Sequence, residues 1–346
     1  MNLHFPNRLR LLVIVNVYRP DLGGGVLFAD FLEGLAERGF DVEVRCAYPY
    51  YPEWRDKTGQ NGLAIAASVE HGVRIRRFGL FVPSRPESLW QRLVYEASFF
   101  ASLLRVLPAP GEFDLVMAYC PLVGGVGYGA LAARAAGAPL WLNVQDLAAE
   151  AATTAGIVQN RATGSLLARF QRFLFNRASV WSTISPVMQD RLVPLATRGQ
   201  TVHDLPNWLH GSLADAIGST ERLPGEKRQR RGTAAYLSGT LESAGPHLLY
   251  SGNIGGKQDL LGFCKVLADS QAAFRFEIRG DGSAAGPIRK WIRGSGDARF
   301  SMAPLTDEAG LAEGLALCDL FVVTEKRDAG GSFIPSKLLP AFGSGT

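Results

Sequence analysis

Short runs of apolar, often β-branched residues alternate along the chain with longer segments in which apolar residues recur at helical spacing. The short runs predict strands near residues 10–17, 41–46, 73–79, 113–119, 139–144, 179–184, 201–205, 247–251, 273–279, 298–300 and 319–324. The longer segments predict helices near 25–39, 87–107, 123–137, 163–177, 186–195, 257–269, 284–294, 307–317 and 335–343. Strands that alternate with helices are typical of βαβ units, so the pattern predicts an α/β fold with parallel sheets.

The alternation is interrupted after the strand near 201–205, where Pro206-Asn207 breaks the chain. We therefore predict two domains, 1–205 and 206–346, which is the number that 346 residues favour. Within the second, residues 218–245 are polar, glycine-rich and basic, and they predict an irregular connection. Two such sheets are expected to face each other across a cleft. Ligands of such sheets bind beyond the carboxyl ends of the strands, so the strand-to-helix turns are the candidate sites.

Composition narrows the classes of function. Hydrophobic residues make up 47% of the chain and charged residues 20%, as in globular proteins. The net charge of +4 is too small to demand nucleic acid, and it suits an anionic ligand or an anionic membrane face. The four cysteines are isolated, which suits a reducing cytosol and does not predict a zinc site.

The stretch from Leu115 to Ala133 carries no charge over 19 residues, a length sufficient to span a bilayer. Pro121 and the glycines that follow it divide the stretch into a strand, a turn and the start of a helix. We therefore interpret it as buried α/β packing rather than a membrane span.

Glycines follow the first predicted strand, in "VYRPDLGGG". They would let backbone N–H groups approach an anion at the start of a helix, and we take Gly23 and Gly24 as candidate ligand contacts. A dinucleotide fingerprint, G-x-G-x-x-G, is excluded because its third glycine position is Phe28. An ordinary tight turn is the alternative.

Similar turns follow two strands of the second domain. "SGNIGGK" contains Gly252, Asn253 and Lys257, and a lysine at a helix start is unfavourable for the helix dipole unless an anion binds there. The second turn is Gly280-Asp281-Gly282, a tripeptide that any tight turn can use. We predict that both turns contact phosphate.

A second lysine lies at a predicted helix start near the end of the chain, in "PSKLLPAF". Pro335 and Ser336 are typical of a helix N-terminus, and Lys337 follows them directly. The repetition of this unfavourable placement favours an anion-binding role for Ser336 and Lys337.

These segments resemble family-4 glycosyltransferases of GT-B fold, in the branch that builds bacterial surface polysaccharides such as colanic acid and O-antigen and includes fucosamine transferases. The similarity is carried by "NVYRPDLGGG", "LNVQDLAAE", "PNW", "YSGNIGGKQ", "RGDG" and "PSKLLPAFGSGT". It covers most of the chain and is weak over 50–110 and 218–245. The resemblance implies two Rossmann-like domains and a retaining, metal-independent transfer without a cofactor.

The same resemblance implies a UDP- or GDP-linked sugar bound mostly by the second domain. Lys257 matches the phosphate-binding lysine of the family, and Asn253 stands where many relatives have an arginine. Asp146 matches the second member of a His-Asp pair and is expected to orient a sugar or act as a base. Lys257 and Asp146 are therefore the predicted catalytic residues; the alternatives are a solvated lysine at 257 and an Asp146 that caps the following helix.

Several departures from the family pattern leave other readings open. Gln145 replaces the histidine of that pair, and Ser332 and Pro340 stand where many relatives have two glutamates. Relatives also continue past "GSGT", so a shortened chain with exposed apolar surface is expected. A catalytically impaired GT-B-like binding or scaffold protein is one alternative, and a UDP-sugar epimerase is another.

The resemblance also implies an acceptor that is a saccharide or is linked to polyprenyl diphosphate. The enzyme is then expected in the cytoplasm, in peripheral contact with the inner face of the plasma membrane. Arginines and aromatic residues interleave between 74 and 105, as on surfaces that meet anionic lipid. The alternative is that these aromatic residues belong to the core.

Overall fold

The computed structural model describes residues 8–86, 88–147, 161–220, 245–256, 258–326 and 336–346. These residues form two compact units, one reaching Pro206 and the other starting at Asn207. The division lies one residue from the boundary predicted at 205/206. Most of the predicted irregular connection, residues 221–244, lies outside the described residues, as does Lys257.

The described part of the first unit contains an eight-stranded sheet in the order β3-β4-β2-β1-β5-β6-β7-β8. Its strands are β1 Arg10–Ile14, β2 Asp41–Ala47, β3 Ala66–Glu70, β4 Val73–Phe78, β5 Leu115–Cys120, β6 Leu140–Val144, β7 Val180–Thr183 and β8 Thr201–Asp204. All neighbours pair in parallel except β3, which is antiparallel to β4. The strand order reverses between β1 and β5, the place where α/β sheets bind ligands.

The described part of the second unit contains a four-stranded parallel sheet in the order β11-β10-β9-β12. Its strands are β9 His247–Ser251, β10 Arg275–Arg279, β11 Phe300–Ala303 and β12 Leu320–Phe321. Strand β9 is buried along its whole length, as a strand covered on both faces must be. Its carboxyl end opens into the first glycine turn of this unit.

Helices follow the strands in both units. Those in the described residues are α1 Gly24–Glu37, α2 Leu89–Leu103, α3 Val123–Ala136, α4 Arg161–Phe175, α5 Pro186–Leu192, α6 Gly211–Ser219, α7 Leu260–Ala268, α8 Ala285–Ser295, α9 Glu308–Leu317 and α10 Leu338–Ser344. The charge-free stretch divides into β5 and α3, as the glycines and Pro121 indicate. In the described residues, no helix combines the length and apolar character that crossing a membrane requires.

The α/β fold with parallel sheets is confirmed, and two elements were not predicted. Strand β3 lies at the sheet edge with mostly exposed side chains, and His71 and Gly72, both at positive φ, turn it into β4. Helix α6, Gly211–Ser219, packs against α9 and α10, and only its last two residues lie in the segment predicted to be irregular.

Candidate nucleotide-sugar site

The two glycine turns of the second unit lie against each other beyond the carboxyl ends of β9 and β10. A Cβ atom on Gly280 would lie 2.1 Å from the main-chain oxygen of Gly252. One on Gly282 would lie 2.5 Å from both Asn253 Oδ1 and the main-chain oxygen of Ile254. Both glycines also have positive φ, so a side chain at either position would push the turns apart.

Hydrogen bonds join the same two turns. The Ile254 N–H donates to the main-chain oxygen of Asp281 at 2.9 Å, and the Ala284 N–H donates to that of Ile254 at 3.0 Å. The Tyr250 hydroxyl donates to the main-chain oxygen of Asn253 at 2.8 Å. The predicted contacts Gly252, Asn253, Gly280 and Gly282 therefore form one packed surface.

Lys337, which directly precedes α10, reaches this surface. Its Nζ donates to the Tyr250 hydroxyl at 2.6 Å and lies 4.0 Å from the centroid of the Tyr250 ring. A Cβ atom on Gly252 would lie 3.3 Å from Lys337 Nζ, so the ammonium lies directly beside the first turn.

Burial lowers the pKa of the Lys337 ammonium to about 8. No carboxylate in the described residues forms an ion pair with it. Lys337 is therefore a partly desolvated cation whose neighbours are an aromatic ring, a hydroxyl group and a glycine.

Two of the remaining predicted contacts of this unit, Ser336 and Asp281, are exposed to solvent. The Asp281 side chain is 80% exposed, with its carboxylate accepting from the Gly282 N–H at 2.8 Å. Lys257 lies outside the described residues, so its predicted role stays a prediction. Sequence reasoning missed Tyr250, because a buried strand tyrosine carries no signal of a contact with Lys337.

A cavity of about 220 Å³ adjoins the first turn. Its lining includes Ile254, Gly256, Gln258, Ala284 and Lys326. The lining also includes the Asp259 carboxylate, so the cavity combines apolar walls with polar groups of both charges, as small-molecule sites often do. Lys326 was also missed, since nothing in the sequence relates it to a turn seventy residues earlier.

In the first unit, the glycine turn after β1 is fixed by a buried carboxylate. Asp21 accepts from the N–H groups of Tyr50 at 3.1 Å and Tyr51 at 3.0 Å. Burial raises the pKa of Asp21 above its usual value. Gly23 caps α1 with φ of 65°, and Gly24 is the first residue of that helix.

A polar and aromatic cluster lies beside this turn. Asn16 Nδ2 donates to the hydroxyl groups of Tyr50 at 3.0 Å and Tyr95 at 2.7 Å. The Arg92 guanidinium lies 4.6 Å from the Trp54 ring centroid. These contacts join residues from distant parts of the chain, so the sequence pattern did not indicate them.

Glu96 places another carboxylate beyond β5. Its Oε2 accepts from the Gly124 N–H at 2.8 Å, in the first turn of α3. Burial raises the pKa of Glu96 to about 7. This group was missed because Glu96 lies on the preceding helix and only the fold brings it to α3.

Asp146 follows β6, on the same edge of the sheet as Gly23 and Gly24. It is partly buried, and its main-chain oxygen accepts from Cys120 Sγ at 3.4 Å. Gln145, at the position of the family's histidine, donates its amide to Asn143 Oδ1 at 2.6 Å. The segment after Asp146, residues 148–160, lies outside the described residues.

Over the described residues, the acidic, histidine and cysteine side chains nowhere gather in a group of three that could hold a metal ion. Among the described residues, Lys337, Lys326 and Arg289 place positive charge near the paired turns, and Asp281 and Asp259 place negative charge there. The paired turns, Tyr250 and Lys337 therefore form the candidate site of the second unit.

Comparison with known proteins identifies the class of protein to which the chain belongs. A family model described as "Glycosyl transferase 4-like domain" matches residues 23–208. The chain is 28% identical, over 348 residues, to the Escherichia coli (strain K12) protein WcaI, named for glycosyl transfer in colanic acid biosynthesis. That match covers 95% of this chain and 80% of WcaI.

Solved structures show the same fold. Anabaena Alr3699/HepE, crystallised with UDP-glucose, is similar with a TM-score of 0.63 and 16% identity over 98% of this chain and 79% of that one. Sucrose-phosphate synthase from Thermosynechococcus elongatus has a TM-score of 0.67 and 14% identity over 98% and 80%. The chain belongs to the glycosyl transferase 4-like family, has the GT-B fold and is a glycosyltransferase.

Proposed function

We propose that the second unit binds a UDP- or GDP-sugar, with the diphosphate against Lys337 and the turns at Gly252 and Gly280–Gly282. The observation that carries this proposal is the Lys337 ammonium, which lies over Tyr250 beside Gly252 without an ion pair in the described residues. A cation that has lost water without gaining a counter-ion is stabilised most by an anionic ligand. The HepE complex with UDP-glucose supports a nucleotide sugar as that ligand.

The reaction is a retaining hexosyl transfer that uses no metal ion. The bond between C1 of the sugar and the diphosphate oxygen breaks, and the acceptor oxygen bonds to C1 on the same face. The acceptor's proton ends on the departing diphosphate. Lys337, together with the predicted Lys257, stabilises the charge that develops on the diphosphate. Asp146 orients a sugar, or it acts as a base that takes the acceptor's proton and passes it on to the diphosphate.

The acceptor is a saccharide or a polyprenyl-diphosphate-linked sugar in the synthesis of a surface polysaccharide. The likeness to WcaI, named for colanic acid biosynthesis, supports this class of acceptor. A lipid-linked acceptor places the enzyme in peripheral contact with the inner face of the plasma membrane.

Calorimetric titration with UDP, GDP and their sugars tests the donor site. One of the two nucleotides should bind, and Lys337→Gln should weaken it about 10- to 100-fold, because a hydrogen bond to a charged group contributes about 1.5–3 kcal/mol. Lys265→Gln removes an exposed cation from α7 of the same unit and is the matched control. It should change the affinity by less than about twofold.

Equal weakening by both variants would contradict the assignment of the diphosphate to Lys337. A folded protein that binds neither nucleotide would contradict the donor site itself. Because Lys337→Gln also removes a contact with Tyr250, the melting temperature without nucleotide must be compared. Tyr250→Phe keeps the ammonium and should retain most of the affinity. Binding without transfer to any acceptor would favour the scaffold alternative.

A further inference from the structure

Helix α4, Arg161–Phe175, joins β6 to β7 in the first unit and carries an exposed apolar face. Leu166 is 69% exposed, Phe170 49% and Phe173 53%. Spacings of four and three residues place these side chains on one face of the helix. Gln171 and Phe175 are buried on the other side, where Phe175 packs edge-on against Trp181 at 5.7 Å.

Arginines flank this face. Arg169, Arg172 and Arg177 are exposed, and the Arg177 guanidinium lies 4.3 Å from the centroid of the Phe173 ring. Residues 151–189 contain four arginines and no aspartate or glutamate. The surface therefore combines three large apolar side chains with positive charge that no acidic residue of this segment offsets.

We propose that the exposed face of α4 docks on an anionic lipid bilayer, with Leu166, Phe170 and Phe173 inserted among the headgroups and the arginines beside lipid phosphates. Aliphatic and aromatic side chains beside arginines are the chemistry of helices that lie in a membrane interface. Arginine also suits the boundary because its stem packs on apolar groups while its guanidinium stays with the headgroups.

The positive charge of this surface favours a lipid bilayer over a second copy of the chain as the partner of α4. In a symmetric dimer the same patch meets itself, so the arginines of one copy would face those of the other. An anionic leaflet instead attracts each exposed arginine.

Part of the segment predicted to contact the membrane, 74–105, packs inside its own unit. Phe78, Tyr95 and Phe99 are buried, and Arg74 and Arg76 lie within 3.6 Å of Glu43. Trp90, 72% exposed on α2, is the apolar residue of that segment best placed to compete with α4. It therefore provides a comparison for the test.

This membrane contact rests on the proposed function, because a lipid-linked acceptor requires the enzyme to be at the bilayer. Its test is independent of sugar transfer. Protein is sedimented with vesicles of phosphatidylcholine alone or of an equal mixture of phosphatidylcholine and phosphatidylglycerol, without nucleotide. The protein should bind the anionic vesicles and bind the neutral ones at least tenfold more weakly.

Two double variants remove the two components of the surface. Arg169→Gln with Arg172→Gln should weaken binding about 20-fold, since each arginine near an anionic surface contributes about fivefold. Phe170→Ser with Phe173→Ser should weaken it at least tenfold. Arg289→Gln with Arg293→Gln removes two exposed arginines from α8 and should change binding by less than about twofold.

Retained vesicle binding in both α4 variants would overturn the proposal, as would equal binding to neutral vesicles. Loss of binding in Trp90→Ser with retention in the α4 variants would assign the contact to α2 instead. Self-association that Phe170→Ser with Phe173→Ser abolishes, without vesicle binding, would replace the membrane with a second copy. Because all substituted side chains are exposed, unchanged melting temperatures should confirm that each variant folds.

Discussion

Among the described residues, the carboxylates of Asp21 and Glu96 are removed from solvent beyond the first sheet, whereas the Lys337 ammonium is partly buried beyond the second. Burial raises the pKa of Asp21 and Glu96, and it lowers the pKa of Lys337. The carboxylates accept backbone N–H groups at distances near 3 Å, from Tyr50, Tyr51 and Gly124. Their negative charge is thus partly compensated within the protein.

Lys337 has no comparable compensation, because its hydrogen-bond partner is the neutral hydroxyl of Tyr250. This difference between the two units indicates which of them is better suited to bind a charged ligand. In the first unit, the carboxylates bind backbone N–H groups of turns and of a helix start. In the second unit, a cation lies beside the paired turns. This contrast is the reason why we propose an anionic donor at the second unit.

The largest effect is expected from separating the paired turns. Gly280→Ala places a methyl group 2.1 Å from the main-chain oxygen of Gly252, so the turns must move apart. We expect a destabilisation of about 3 kcal/mol, together with loss of nucleotide binding. Hydrogen exchange of the β9 and β10 amides measures this locally.

Gly294→Ala is the matched control for that substitution. A Cβ atom on Gly294, in α8, would have no neighbour within 4 Å. The change should stabilise the helix by up to about 1 kcal/mol. A fully stable Gly280→Ala protein that still binds nucleotide would show that the turns do not need their close packing.

The carboxylate side of the comparison can be tested with Glu96→Gln. The pKa of Glu96 is raised from 4.5 to about 7, so the folded state binds this proton more tightly than the unfolded state. Its contribution to stability is present below about pH 4.5 and is lost as the pH rises through about 7. Glutamine should therefore stabilise the protein by about 3 kcal/mol at pH 8 and by about 1 kcal/mol at pH 5.

Urea unfolding at the two pH values measures the effect of Glu96→Gln. Glu37→Gln neutralises an exposed carboxylate at the end of α1 and should have little effect at either pH. A stability difference that does not change with pH would mean that Glu96 does not hold its proton in the folded protein.

The parallel sheets were predictable because apolar runs and helical periodicity alternate over most of the chain. Strand β3 was missed because Ala66–Glu70 has little apolar alternation, and only its pairing with β4 holds it at the edge. Helix α6 was missed because Gly211 and Gly218 weaken its intrinsic propensity, so packing on α9 and α10 stabilises it.

The candidate site was predictable in part, because glycine turns and a lysine at a helix start are visible in the sequence. The contacts that hold these turns and the lysine together could not be predicted from the sequence. Lys337 meets Tyr250 across 87 residues, and Gly280 is required by the distant Gly252 oxygen. Glu96 meets Gly124 across 28 residues. Such contacts follow from the fold and have no local signature.

The smallest and most specific effect is the pH dependence of nucleotide binding. In the free protein the pKa of Lys337 is about 8, and a bound diphosphate favours the protonated form and raises that pKa. Affinity should therefore fall by only about twofold from pH 7 to pH 8, because about half of the Lys337 side chains are still protonated at pH 8. Above the pKa of Lys337 in the free protein, the affinity should fall by up to tenfold per pH unit, equivalent to about 1.4 kcal/mol, because binding must then take up a proton.

Lys337→Arg keeps its charge over this range, so its affinity should be nearly independent of pH. Calorimetric titration of both proteins with the nucleotide that binds measures the two profiles. If the arginine variant loses affinity in parallel with the parent protein, a group other than Lys337 titrates, and the contrast between the two units no longer explains donor binding.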